Sequence, residues 1–330
     1  MELCEPVLDD CGFCGASQVQ CVYPESLGQW FSTLVATYQE SDDGMPLVDR
    51  LVHDWDLFAE SGLTAPAAKD LLAEILDDGE IVRRNFAPID YPESQNLRRW
   101  EDLRDELMHK NRWFLSDPID LDRIGVLLDK LITPLSSLAG TKWYRARLAN
   151  RDESIPLEKM GAPPPHLAGH GRANPAGIPY LYLGSTPSTS VAELRPHTGE
   201  RAFVAEFEMI RDDLKFADLR DPRRLVTPLL DDENGIIRLR ADLPLLERLG
   251  EELTRPVHQH GAPYEYIPTQ YLCEHIKNRG FDGVIYRSSV SSDNGINVAI
   301  FRPAVANALV VSEVLVEQVT VRINGDFELA

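Results

Sequence analysis

Apolar residues in the first 140 positions recur at helical spacing. Leu27, Trp30, Phe31, Leu34, Val35 and Tyr38 fall at i, i+3, i+4, i+7, i+8 and i+11, an apolar stripe along one helix. Leu47, Val48, Leu51, Val52, Trp55 and Phe58 repeat the stripe after the break DDGMP. Thr64 is placed to cap a third helix that runs to Leu76, with Pro66 in its first turn and Gly79 closing it. Residues 95–115 predict a long charged helix. Leu121, Ile124, Leu127, Leu128, Leu131 and Ile132 predict a last one, stopped near Pro134. Five helices joined by short breaks imply a bundle.

Beyond a boundary at 139–141 the period changes to two. The stretch TKWYRARLA alternates large residues along a strand that carries Arg145. Residues 180–183, 201–210, 214–219, 283–287, 296–302 and 307–323 also read as strands, the last as two strands or one with a bend. Residues 225–253 predict a turn at Asn234-Gly235 and one helix from about Pro244. The stretch YIPTQYLCEHIKNRG predicts a helix closed by Gly280 ahead of the strand bearing Tyr286. Residues 148–170, with their Pro-rich APPP, read as a loop at the edge of a site. The class is α+β, a helical bundle followed by a mixed sheet.

Candidate chemistry concentrates at GRANPAGIPYLYLGSTPSTSVAELRP, residues 171–196. A Gly- and Pro-bounded turn carries Arg172 and Asn174, a short strand carries Tyr182, and Glu193 follows a Thr/Ser-rich cap. Guanidinium groups at Arg145 and Arg172 offer planar, bidentate donors to phosphate oxygens. Glu193 is the sole carboxylate in this block. Ser288, two residues past Tyr286, can donate to an oxygen of a phosphorylated ligand. Tyr182 and Tyr286 offer flat rings, and Asn174 and Gln270 amide partners, for a partly aromatic ligand. Taken singly, an Arg, Glu or Ser is ordinarily a solvated surface residue and Tyr182 a core residue. Their ordered set is what points to a site.

That order carries a resemblance. Arg145 in WYRAR, the GRANPAG turn, LYLG, AELR with Glu193, PTQYL and FDGVIYRSS with Ser288 resemble the RES domain, named for its Arg, Glu and Ser. The likeness runs over residues 141–303. It implies an NAD-degrading enzyme, usually a bacterial toxin, on a fold related to ADP-ribosyltransferases. Such enzymes split the nicotinamide–ribose bond by phosphorolysis or hydrolysis. The resemblance makes Arg145, Glu193 and Ser288 catalytic, and Arg172, Asn174, Tyr182, Gln270 and Tyr286 NAD-binding. NAD is then a substrate, inorganic phosphate an optional second one, and no recycled cofactor is required. It further implies restraint by an antitoxin protein, a role the N-terminal region could instead fill in cis, and allows a homodimer. An ADP-ribosyltransferase acting on a macromolecule, a non-catalytic NAD sensor, and an RNase of the HEPN type in the N-terminal bundle with a nucleotide-sensing C-terminal domain are the alternatives.

The helical region resembles the HEPN-like domain found ahead of RES domains, and Arg104-x4-His109 in RDELMH resembles the signature of HEPN ribonucleases. Residues five apart on a helix diverge by roughly 140°, so the pair meets only at a helix end or across a dimer. A formal net charge of -20 also argues against a nucleic-acid partner. Cys4, Cys11, Cys14 and Cys21 are spaced C-x6-C-x2-C-x6-C. This is either a structural zinc knuckle or an N-terminal arm with free thiols. No apolar run approaches a membrane span and no basic-then-apolar leader opens the chain, so a cytoplasmic protein is expected. The anticipated division is a Cys-rich arm at 1–22, a HEPN-like domain at 23–140 and a RES domain at 141–330.

Overall fold

The computed structural model describes residues 6–59, 62–89, 96–116, 119–137, 142–150, 153–255, 263–291 and 293–320. The chain forms two compact units, Met1–Trp100 with Asp221–Arg248, and Glu101–Arg220 with Leu249–Ala330. Among the described residues no helix is long and apolar enough to cross a membrane.

In the first unit β1 (Val7–Asp9) and β2 (Val19–Cys21) form a short antiparallel ribbon. Cys11, Cys14 and Cys21 lie on it and in its turn, where Gly15 takes a φ of 72°. Backbone N–H groups of Cys14 and then Phe13 hold the Cys11 thiol below its ordinary pKa. Cys4 lies outside the described residues, among which no group of three or more His, Cys, Asp or Glu is arranged to hold a metal ion. Helix α1 (Gly28–Val35) buries Phe31 and Leu34 of the predicted stripe.

The expectation of an all-helical bundle is corrected here. Tyr38 opens a strand, β3 (Tyr38–Pro46), which pairs antiparallel with β4 (Asn85–Pro88). Helices α2 (Leu47–Trp55) and α3 (Ala65–Leu76) fall between those strands in sequence. The DDGMP segment belongs to β3, because Glu40 and Met45 both oppose Phe86 and the residues between them bulge outward. A Cβ on Gly44 would come within 2.6 Å of the Phe86 carbonyl, so only glycine fits there. Four polar residues looping out of a strand look like a helix break to any periodicity argument. The Thr64 cap does form, its Oγ1 accepting the Ala67 N–H at 3.3 Å. The Tyr38 hydroxyl donates to buried Asp54 and accepts from the Trp55 indole, which fastens α2 to β3. Arg223, in the returning segment, donates to the carbonyls of His53 and Asp54 and pairs with Glu247. A cation thereby satisfies the open C-terminal end of α2.

The second unit includes α4 (Asn96–His109) from Glu101 onward and α5 (Leu121–Asp129), the latter capped by Asp120 on the Arg123 N–H at 2.9 Å. Its sheet contains β5 (Ile132–Thr133), β6 (Trp143–Leu148), β7 (Leu181–Gly184), β8 (Arg201–Met209), β9 (Phe216–Asp218), β10 (Gly283–Arg287), β11 (Ile296–Ile300) and β12 (Ala306–Leu315). The spatial order is β12-β8-β6-β7-β11-β10-β9-β5, antiparallel throughout except for the β9–β10 pair. A large mixed sheet with helices is the expected α+β class. Of the strand expected over 307–323, β12 keeps the part to Leu315 with a register shift between Ala308 and Val310, residues 316–320 carry no strand, and residues 321–323 lie outside the described residues.

Helix α6 (Pro187–Ala192) follows β7, and α7 (Pro222–Leu225), α8 (Glu233–Thr254) and α9 (Ile267–Asn278) come between β9 and β10. The reading of 225–253 needs correction, since α8 begins at Glu233 and continues through Pro244. Asn234-Gly235 forms its first turn, because Asp232 accepts the Gly235 N–H at 2.7 Å and caps the helix.

One face of the sheet is core. Trp143, Leu181, Leu183, Phe207, Ile285, Val298 and Ile300 belong to a single buried cluster. Alternation along β7, β10 and β11 then turns Tyr182, Gly184, Tyr286 and Asn297 to the opposite face.

Candidate active site

That opposite face opens into a cleft of about 700 Å³ within the second unit. Local sequence explains how Glu193 reaches it. The Thr186 hydroxyl accepts the Thr189 N–H at 3.0 Å, and Pro187 pre-sets the first turn of α6. A Cβ on Gly184 would stand 2.9 Å from the Ser190 nitrogen, so β7 and α6 approach backbone to backbone. The six-residue helix delivers Glu193 at its C-cap. Arg195 then adopts a left-handed φ of 50°, which ends the helix ahead of Pro196.

Two donors converge on one oxygen of Glu193. The Ser288 hydroxyl donates to Oε1 at 2.7 Å, and the Asn297 amide donates to the same Oε1 at 2.5 Å. Ser288 Oγ in turn accepts the N–H groups of Val290 and Ser291, so its own proton is directed at the carboxylate. Asp293 accepts hydroxyls from Thr186, Ser188 and Ser291. The Ser291 hydroxyl, ahead of those of Ser188 and Thr186, holds the Asp293 carboxyl below the usual aspartate range.

The arginines flank this carboxylate. Arg145 alternates with Tyr144 on β6, lines the cleft and donates to the Gly161 carbonyl at 2.8 Å. Burial, reinforced by neighbouring Arg147, pushes its guanidinium down to about 10, which leaves it a cation at neutral pH. Arg172 donates to the Leu253 carbonyl at 2.5 Å from the GRANPAG turn. Tyr286 is buried against both Arg172 and Glu193. Burial pushes its phenol pKa upward, Arg172 opposes that rise and Glu193 adds to it.

Of the residues singled out by sequence, Arg145, Arg172, Tyr182, Glu193 and Tyr286 line the cleft and Ser288 bonds its carboxylate. Asn174 and Gln270 are brought close but engage the turn itself. The buried Asn174 amide donates to the carbonyls of Gly169, Pro175 and Ile178 and accepts the Tyr182 hydroxyl. Gln270 donates to the carbonyls of Gly171 and Asn174. Both amides, foreseen on the ligand, hold the loop that presents Arg172. Sequence reasoning missed Asn297, His170 and Arg195, which also line the cleft. For Asn297 a signal existed, a lone polar side chain inside the apolar strand INVAI.

Arg104 and His109 share α4 but have separate partners. Arg104 pairs with buried Glu252 at 3.2 Å, and the His109 ring lies edge-on to Tyr264 with centroids 5.2 Å apart.

Comparison with known proteins bears on the same half of the chain. No curated protein sequence matches it. A solved structure described as the M. tuberculosis MbcT-MbcA toxin-antitoxin complex is similar at 14% sequence identity and a TM-score of 0.31, over 58% of this chain and 92% of that one. A family model described as the RES domain matches residues 142–323, more than half of the 330. That range holds strands β6 to β12 and the residues lining the cleft, and the chain belongs to the RES-domain family.

Proposed function

We propose that this protein cleaves the bond between nicotinamide and ribose in NAD, and that it acts as a toxin by draining the cofactor. One observation carries the reading. Among the described residues lining the cleft, Glu193 is the single carboxylate, beside Arg145, Arg172 and Arg195. A chain of net charge -20 concentrates cations around one acid here, as a dinucleotide with a pyrophosphate and a reacting ribose requires.

Breaking the C1′–N bond sends its electron pair to the pyridinium, so nicotinamide leaves neutral and needs no general acid. The ribose passes through an oxocarbenium-like cation, which a fixed carboxylate stabilises while accepting from a ribose hydroxyl. Glu193 takes that role, with the Ser288 hydroxyl on its Oε1. Arg145 and Arg172 bind the pyrophosphate, and Tyr182 and Tyr286 face the rings. Water or inorganic phosphate then forms the new C1′–O bond and gives up a proton, yielding ADP-ribose or its 1″-phosphate. As a RES-family toxin the protein is restrained by a partner antitoxin.

The test is nicotinamide release from NAD by the purified protein, with and without phosphate, beside Glu193→Gln. Wild-type release that drops by about 10³-fold in the variant, on the order of 4 kcal/mol of transition-state stabilisation, is expected. Equal release by both proteins, or none by the wild type, contradicts the reading.

A further inference from the structure

We infer that Asn297 is a positioning residue. Its amide, together with the Ser288 hydroxyl, occupies Oε1 of Glu193 and thereby presents Oε2 to the ribose. The inference rests on the NAD-cleaving reading above.

The two holders of Glu193 are unequal. Ser288 belongs to a loop at the end of β10, whereas Asn297 lies inside β11, paired to Tyr286 on one side and Gly184 on the other. It is only 5% exposed, so pleat and packing set its side chain. Glu193 is the partner to be held, a side chain with three rotatable bonds at the C-cap of a six-residue helix. The amide must point its N–H at the carboxylate, since its oxygen there would set two acceptors against each other. A carboxylate oxygen offers two principal acceptor directions, and both on Oε1 are filled at 2.5 and 2.7 Å. Among the described residues Oε2 accepts no such bond, which leaves it as the oxygen for the ligand. A reacting group held from a central strand is placed to a few tenths of an ångström, and displacements of about 1 Å cost about 10²-fold in rate.

A double-mutant cycle of Asn297→Leu and Glu193→Gln tests this, reading kcat for nicotinamide release and NAD affinity by calorimetry. Asn297→Leu is expected to lower kcat about 10²-fold and weaken NAD binding in the wild-type background. Neither loss should appear on top of Glu193→Gln. Equal losses in both backgrounds would mean that Asn297 acts through the fold or on NAD directly, and would overturn the inference.

The near-isosteric Asn297→Asp keeps the test decisive if the leucine variant does not fold. Its new carboxyl meets Glu193 as a like charge, and only a proton shared between them restores the bond. The facing groups Arg145, Arg172, Arg195, His170, Tyr182 and Tyr286 are common to variant and wild type. The ratio of variant to wild-type activity should therefore rise as pH falls, and a flat ratio counts against the role. If the wild type binds NAD without releasing nicotinamide, the catalytic reading fails and the affinity cycle alone decides. If NAD does not bind, both readings fall.

Discussion

Tyr182 serves the frame of the cleft as well as its wall. Its hydroxyl accepts the Ala173 N–H at 2.9 Å and donates to Asn174 Oδ1 at 2.7 Å, stapling the GRANPAG turn to β7. Burial pushes its phenol pKa well above the ordinary value, so it stays a donor at any physiological pH. A Cβ on Gly171 would sit 2.6 Å from that hydroxyl, which explains the glycine. Tyr182→Phe leaves two polar partners unpaired and should cost about 1–3 kcal/mol in urea denaturation. Unchanged stability would mean that Asn174 and Gln270 hold the turn alone. Residue type and order singled out Arg145, Arg172, Glu193 and Ser288, which the fold brings to one cleft or to its carboxylate. The same reasoning put Asn174 and Gln270 on the ligand, because an amide reads identically whether it faces a ligand or a carbonyl of its own loop.

Two short elements, α6 and the loop after β10, bring Glu193 and Ser288 together. Their fastener is Asp293, which gathers hydroxyls from α6 and from its own loop. Its folded pKa is lowered, so its contribution to stability is present above the ordinary aspartate value of about 3.9 and is lost as pH falls through the lower folded value. Asp293→Asn should lower the melting temperature at neutral pH and make the acid limb of the melting profile shallower than in the wild type. Parallel acid limbs would show that the latch carries no linked proton. The Thr/Ser-rich cap was readable from TPST, since capping is local, and the structure puts it on Thr186. Asp293 was not readable, because its hydroxyl partners at Thr186 and Ser188 lie 107 and 105 positions away.

For the whole molecule the governing fact is a net charge of -20 around a cleft whose described lining holds three arginines and one carboxylate. Repulsion of an anionic dinucleotide by the scattered carboxylates acts at long range, whereas the cleft cations act near contact. The screening length shrinks from about 30 Å at 0.01 M salt to about 8 Å at 0.15 M, which removes the long-range term first. NAD association, followed by stopped flow, should therefore speed up over that interval. A rate that slows with salt would show that the arginines dominate the approach as well. The sequence by itself determined the alternation of the strands, the cap at Thr64 and the Thr/Ser-rich cap ahead of Glu193, because each is written in neighbouring residues. Tertiary structure alone decided that β3 and β4 interrupt the N-terminal helices, and that residues 221–248 join the unit formed by the first 100. It also decided that Asn297 meets Glu193. Those outcomes depend on pairing across long sequence separation, where strand register and close backbone approach choose the partner and no local pattern records the choice.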